Sequence, residues 1–146
     1  MNLRYALGSA QSVYGVLARG FRPPETTELY RLQRQQSVAD LDSELLDSAE
    51  LGWLGANHSL HWSLAAYSMR KSHVILRDSN GFNVSNGRTR HQGLEYQLAW
   101  QLAPQWQVTV AGTTARHRYD FSLAIDGGET ITAGRDIDTA PRQLQN

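Results

Sequence analysis

The five histidines of this chain have the widest chemical repertoire among its side chains, because imidazole can bind metals and transfer protons near neutral pH. They are His58, His61, His73, His91 and His117. None stands in a His-Glu-x-x-His pattern or in another spacing typical of metal ligands. The sequence also has no cysteine, which excludes thiolate sites and disulfides. We predict no metal-binding residue and interpret these histidines as surface side chains.

Nucleophilic catalysis would need a side chain held beside a base, and the sequence offers no local pattern of that kind. A Gly-x-Ser-x-Gly elbow does not occur, and Gly127-Gly128 is not followed by the Lys-Ser/Thr of a phosphate-binding loop. We expect no enzyme, no catalytic residue and no resident cofactor. The 14 basic and 14 acidic side chains balance, so no charge excess points to nucleic acid.

The polar stretch from Arg22 to Ser43 holds the best candidates for contact with a ligand. They are Arg22, Tyr30, Arg31, Arg34 and several glutamines. Arginine suits an anionic chelate because its planar head offers several hydrogen-bond donors. Glu25, Glu28 and Asp40 offset most of the positive charge, which fits a solvated loop equally well. The sequence therefore assigns no site residue in this stretch.

Long strands must position these side chains, because apolar and polar residues alternate over long stretches separated by turn residues. The predicted strands cover residues 3–7, 12–21, 44–56, 59–76, a fifth run ending near 102, 105–121 and a short edge at 130–133. The fifth run is the clearest, with Leu94, Tyr96, Leu98, Trp100 and Leu102 on one face. Glu50 and Glu95 fall on the opposite, polar faces of their strands. The links between strands alternate between short and long.

Large aromatic residues flank the short turns. Trp53 and Trp62 flank Asn57-His58, Trp100 and Trp106 flank Ala103-Pro104, and Tyr5 and Tyr14 flank residues 8–11. Such rings favour a membrane–water boundary, because their bodies are apolar and their polar groups need water. We interpret all six as the aromatic girdle at the periplasmic end of an antiparallel, all-β transmembrane barrel. A soluble antiparallel sandwich also shows alternating strands, so it remains an alternative.

The sequence has no run of about 18 apolar residues, so it predicts no transmembrane helix. Arg4, Gln11 and Arg19 interrupt the stretch where the apolar segment of a signal peptide would lie. The lack of a convincing signal peptide conflicts with an envelope location unless the chain is part of a longer protein, and we expect that it is.

Residues 18–25, Ala-Arg-Gly-Phe-Arg-Pro-Pro-Glu, resemble the small-Gly-Phe-Arg-x-Pro element of TonB-dependent outer-membrane receptors, where a strand ends before a large outside loop. The order of later motifs is similar to that family as well. These motifs are Glu28-Leu29-Tyr30, Leu41 to Glu44, Glu50-Leu51-Gly52, Tyr67, Val74-Ile75, Asn86 to Glu95 and Gly134 to Arg142. No single motif is specific, but the ordered series covers nearly the whole chain.

The resemblance implies an up-and-down barrel of about 22 strands filled by a plug domain. Residues 1–146 would be a partial barrel of about six strands, with the plug and the C-terminal strands outside them. The parent would take up a scarce ligand, most often a ferric siderophore, across the outer membrane of a Gram-negative bacterium. The TonB–ExbB–ExbD system would energise uptake through the missing N-terminal part. The surrounding partner would be outer-membrane lipid.

Two alternatives besides the sandwich remain, a passive porin-type barrel and an outer-membrane hydrolase.

Several local expectations follow from the strands themselves. Gly20 and Gly93 should mark a bulge or a close backbone approach, and Pro23 and Pro24 should end strand pairing. A slice of a barrel leaves unpaired edges, so we expect the chain alone to aggregate or stay unfolded.

Overall fold

The computed structural model describes residues 1–30, 38–137 and 140–145. Six sequential antiparallel strands form an up-and-down sheet. They are β1 (Asn2–Ala6), β2 (Gln11–Arg22), β3 (Glu44–Ala56), β4 (Leu60–Arg77), β5 (Asn83–Ala103) and β6 (Trp106–Tyr119). Each pairs with its sequence neighbour, as the alternating pattern predicts. The predicted strand boundaries are confirmed to within a few residues.

Smaller elements occupy the long connections. Helix α1 (Thr26–Leu29) lies between β2 and β3, and the hairpin of β7 (Leu123–Ala124) and β8 (Thr130–Ile131) follows β6. The last strand, β9 (Gln143–Gln145), pairs with β6 and makes the main sheet seven-stranded. Within the described residues, no helix has the length and apolar character that a membrane span requires.

All short links lie at one end of the sheet and the longer ones at the other. At the short end, the Asn57 side chain accepts hydrogen bonds from the amides of Ser59 and Leu60, which closes the turn between β3 and β4. At the other end β2 stops at Arg22, because the prolines that follow cannot donate to a strand ladder. The predicted alternation of link length is therefore confirmed.

The apolar face of the sheet is exposed. Its large exposed side chains include Leu17, Leu51, Trp53, Leu94, Leu98, Trp100, Val108 and Val110. Register places them together, since Trp53 lies opposite Leu64 and Leu98 opposite Val110. In the described part of the chain, the buried apolar side chains are only Ala39 and Phe121. A soluble sandwich buries its apolar face in a core, so the sandwich alternative is wrong.

The tryptophans lie at the short-turn end of this apolar face. The rings of Trp53 and Trp62 meet edge to face with centroids 5.3 Å apart. Trp106 is 71 % exposed, and Trp100 lies opposite Val108 on the same face. The four indoles therefore form the predicted girdle.

The interpretation of Tyr14 as a girdle residue is wrong. Tyr5 pairs with Val13, so Tyr14 pairs with Arg4 and points to the opposite, polar face. A position close to a turn does not determine a face, because successive strand residues point to opposite sides. Tyr5 lies on the apolar face as predicted.

The strands are longer than a membrane needs. β4 has 18 residues and β5 has 21. At about 3.3 Å per residue, β5 extends roughly 70 Å, whereas the apolar band of a barrel is about 25 Å tall. On β4 and β5 the apolar run of this face ends at Ala66 and Leu94, and polar residues continue beyond it. The distal halves of these strands therefore rise above the apolar band.

Candidate functional site on the polar face

The polar face carries two carboxylates at the height of the apolar band. Glu50 on β3 lies opposite Tyr67, and Glu95 on β5 lies opposite Ala65. The Tyr14 hydroxyl donates to Glu50 Oε1 at 2.6 Å. Neither carboxylate forms an ion pair within the described residues. The predicted polar orientation of Glu50 and Glu95 is confirmed.

A cleft of about 470 Å³ opens beside Glu95. It is lined mainly by small and polar side chains, among them Tyr14, Ser63, Ala65, Gln97 and Thr113. The Tyr14 ring lies over Gly52, and a Cβ at that position would overlap the ring. Glycine is therefore needed at position 52 for the ring to cross β3 and for its hydroxyl to reach Glu50. The arrangement offers acidic and hydroxyl groups to a partner that covers this face.

Close backbone approach also explains one of the two glycines singled out in the sequence. A Cβ on Gly93 would lie 2.6 Å from the Tyr67 hydroxyl and 2.8 Å from the Thr114 carbonyl oxygen. The prediction for Gly93 is therefore confirmed. Gly20 has no atom within 4 Å of such a Cβ, and β2 and β3 pair without a register shift around it. The prediction for Gly20 is wrong.

A second polar cluster closes the distal end of the same face; we call it the outer clamp, formed by Arg22, Glu28, Glu44 and Lys71. Glu44 begins β3 and is 3 % exposed. Arg22 Nε lies 2.9 Å and Lys71 Nζ 2.7 Å from Glu44 Oε2. The other oxygen, Oε1, accepts a hydrogen bond of 3.0 Å from the Ile75 amide.

The backbone of β4 is irregular where the last of these bonds forms. The register of β4 against β5 shifts between Ser72 and Val74, and the intervening His73 has a φ of 56°. His73 Nδ1 lies 3.3 Å from the Ser43 carbonyl oxygen, beside the start of β3. A second register shift lies between Val74 and Leu76, so the Ile75 amide that donates to Glu44 belongs to an irregular part of β4.

Electrostatics keep the clamp ionised. Burial has the largest influence on the pKa of Glu44 and raises it, but hydrogen bonds from Arg22, Lys71 and the Ile75 amide outweigh burial and hold this pKa at about 2. The hydrogen bonds from Arg22 also lower the pKa of Glu28. The Arg22 guanidinium bonds both oxygens of Glu28, at 3.0 and 3.1 Å, and so attaches α1 to the sheet.

The ligand-contact candidates of the long loop fall into three groups. Arg22 forms ion pairs with Glu28 and Glu44, and these pairs hold the start of the loop against the sheet. Tyr30 is 56 % exposed. Arg31, Arg34 and the glutamines of the loop lie outside the described residues.

The structure brings together two of the five histidines. His91 and His117 face each other across β5 and β6 with their Nδ1 atoms 2.8 Å apart. His91 Nε2 lies 2.9 Å from Thr89 Oγ1, and His117 Nε2 lies 3.2 Å from the Pro141 carbonyl oxygen. Burial, followed by the charges of His117 and Lys71, lowers the pKa of His91. The pair therefore links two strands to the segment that leads into β9.

Sequence reasoning missed two of these arrangements, the Tyr14–Glu50 bond and the histidine pair. Their members are 36 and 26 residues apart, so no local spacing reveals them. Counting outward from Ala103 and Trp106 would place Arg118 opposite His91, because the register shifts by one residue between Gln101 and Ala103.

The family to which the sequence is similar agrees with the two-faced antiparallel sheet. Residues 1–145 match the family model described as "TonB dependent receptor-like, beta-barrel". No curated protein sequence matches the chain.

Solved structures share the fold at low sequence identity. The ferric-catecholate import receptor Fiu from E. coli K12 is 19 % identical, with a TM-score of 0.64 over 82 % of this chain and 18 % of that one. The ferric yersiniabactin uptake receptor FyuA from Yersinia pestis is 17 % identical, with a TM-score of 0.72 over 99 % of this chain and 21 % of that one. The copper transporter OprC is 17 % identical, with a TM-score of 0.66 over 81 % and 20 %. The chain thus spans about a fifth of each.

Proposed function

This chain belongs to the TonB-dependent receptor-like β-barrel family of the Gram-negative outer membrane, and on that premise we propose that it forms part of an active importer. The imported ligand is a scarce metal chelate, with a ferric siderophore as the leading candidate. TonB–ExbB–ExbD supplies the energy through a part of the receptor outside this chain. The chain contributes wall strands and outer loops, and it performs no catalysis.

The separation of the two faces is the observation that supports this proposal best. Leu51 and Leu94 are 65 % and 55 % exposed on one side of the sheet. Glu50 and Glu95, their immediate neighbours in sequence, point to the other side. A barrel wall needs this arrangement, because one side meets lipid and the other meets an aqueous or protein-filled lumen.

The acidic pair on the luminal side needs a basic partner. Glu50 and Glu95 lie on strands two spacings apart, about 10 Å. A plug domain in the lumen would cover both, and a carboxylate removed from water is stable only when it is paired. We therefore propose that arginine or lysine side chains of a plug bind these two carboxylates.

The test uses cells that produce the full-length receptor, with and without TonB. Uptake of radiolabelled metal is measured for a ferric catecholate, ferric yersiniabactin and copper ions, the ligands named for the similar structures. We expect uptake of at least one probe, abolished without TonB. Uptake that persists without TonB would instead establish a passive porin.

The plug contact has a separate test in the same cells. The E50Q/E95Q variant should let a bulky antibiotic enter passively, because the plug loses two ionic contacts. Glu129→Gln is the matched control, since Glu129 is exposed in the β7–β8 connection. Equal antibiotic sensitivity of the two variants would contradict the proposed contact.

A further inference from the structure

A row of basic side chains crosses the lipid-facing side of the sheet above its apolar band. The register aligns Arg70 on β4 with Arg90 on β5 and Arg118 on β6. Arg116 follows one position nearer the membrane, opposite Gln92. We call these four arginines the outer arginine belt. Strand alternation is unbroken from Ala66 to Arg70 and from Leu94 to Arg90, so the belt shares the face of the apolar side chains.

The belt lies within side-chain reach of the lipid head groups. From Ala66 to Arg70 the strand advances four residues, or about 13 Å, which corresponds to about 10 Å of height in a tilted barrel strand. The head-group region extends roughly 5–7 Å beyond the hydrocarbon on each side. An arginine whose Cα lies just above this region can extend its long side chain to the head groups.

The belt contains more positive charge than its protein partners neutralise. Asp120 forms ion pairs with both Arg70 and Arg90, at 3.6 and 3.0 Å. Asp136 is shared between Arg118, at 3.4 Å, and Arg142, at 3.0 Å. Arg116 makes no ion pair within the residues that the structure describes.

Like charges opposite one another on adjacent strands destabilise a sheet. Arg70, Arg90 and Arg118 are nevertheless neighbours in one row. Asp47, which lies opposite Arg70 in the same row, is already paired with Arg19. A groove of about 270 Å³ beside Arg90, Arg116 and Arg118 is also lined by Gln92, Tyr119, Gly134 and Asp120, whose carboxylate pairs with Arg70 and Arg90. An anion in this groove would relieve the repulsion and receive charge-assisted hydrogen bonds from several guanidinium groups.

We propose that the outer arginine belt binds the phosphorylated head group of an anionic lipid in the outer leaflet. The groove opens on the side of the sheet that carries the exposed apolar residues, so the phosphate and the acyl chains of one lipid would contact the same face. This site is independent of the imported ligand, which passes along the opposite face.

The test measures binding of a diphosphorylated lipid A to the full-length receptor in nanodiscs of zwitterionic phosphatidylcholine. The R90Q/R116Q variant should bind it more weakly by roughly fivefold per arginine, on the order of 25-fold for the pair. The R90K/R116K variant should retain most of the binding. R4Q/R77Q is the matched control, since Arg4 lies on the polar face and Arg77 pairs with Asp126 away from the belt. Heat-modifiable mobility in gels verifies that each variant is folded.

Three results would overturn the proposal. One is equal binding of the phosphorylated lipid and its dephosphorylated form to the native receptor. Another is equal affinity of the folded R90Q/R116Q and R4Q/R77Q variants. The third is complete displacement by millimolar inorganic phosphate, which would show an adventitious anion site with no preference for lipid.

Discussion

Arg22 and Glu44 occupy the last register position shared by β2 and β3, and Arg22 Nε lies 2.9 Å from Glu44 Oε2. The same nearly buried carboxylate forms an ion pair with Lys71 on β4, while Arg22 also forms an ion pair with Glu28 of α1. One side chain therefore joins three strands, and through Arg22 a helix, at the outer end of the sheet.

Acid should loosen this end of the sheet. The pKa of Glu44 is about 2 in the fold and 4.5 ordinarily, so its stabilising contribution is complete above pH 4.5 and is lost as the pH falls towards 2. The shift corresponds to about 3 kcal/mol. Hydrogen exchange of the Ile75 amide in the full-length receptor, followed from pH 6 to pH 3, measures the loss. Glu44→Gln should speed exchange already at pH 6, whereas Glu129→Gln should not.

Gly93→Ala should destabilise the barrel wall by about 1–3 kcal/mol, because the added Cβ would overlap the Tyr67 hydroxyl and the Thr114 carbonyl. Gly20→Ala is the control, since its Cβ would meet open space. The urea midpoint of the folded receptor compares the two variants. Equal midpoints would show that β4 and β6 do not crowd Gly93.

The sequence predicts the strands and their faces where alternation is regular, as from Leu94 to Leu102. It does not predict contacts that depend on register between strands. Tyr14 sits as close to a turn as Tyr5 does, yet one residue of register decides that it meets Glu50 on the polar face. Helix α1 was missed, because Glu25 and Glu28 form a capping box without the usual serine or threonine at the cap.

The histidine pair gives a prediction at milder pH. His91 has a lowered pKa in the fold, so its contribution to stability is present above the ordinary histidine pKa of about 6.5 and is lost as the pH falls below it. His117→Ala removes the contacts to His91 and Pro141. Exchange of the Ala115 amide, which donates to the Arg142 carbonyl at 2.8 Å, should then increase. His61→Ala, near the Asn57-His58 turn, should leave it unchanged.

A charge placed on each face should have unequal consequences. Leu98→Arg puts a cation against lipid in the middle of the apolar run from Leu94 to Leu102 and should cost about 2–4 kcal/mol. Gln97→Arg puts the same cation on the polar face, beside the cleft, and should cost little. Yield of folded receptor in the outer membrane compares the two. Similar yields would contradict the assignment of faces.

Spin labels at successive positions from 93 to 101, in the full-length receptor within a bilayer, test most directly whether lipid covers the apolar face. Power-saturation spectroscopy reports contact of each label with oxygen, which dissolves in lipid, and with a water-soluble nickel chelate. We predict high oxygen contact at 94, 96, 98 and 100, and low oxygen contact at the odd positions between them. Labels at the even positions that are shielded from both reagents would show that this face packs against protein, and would contradict the account.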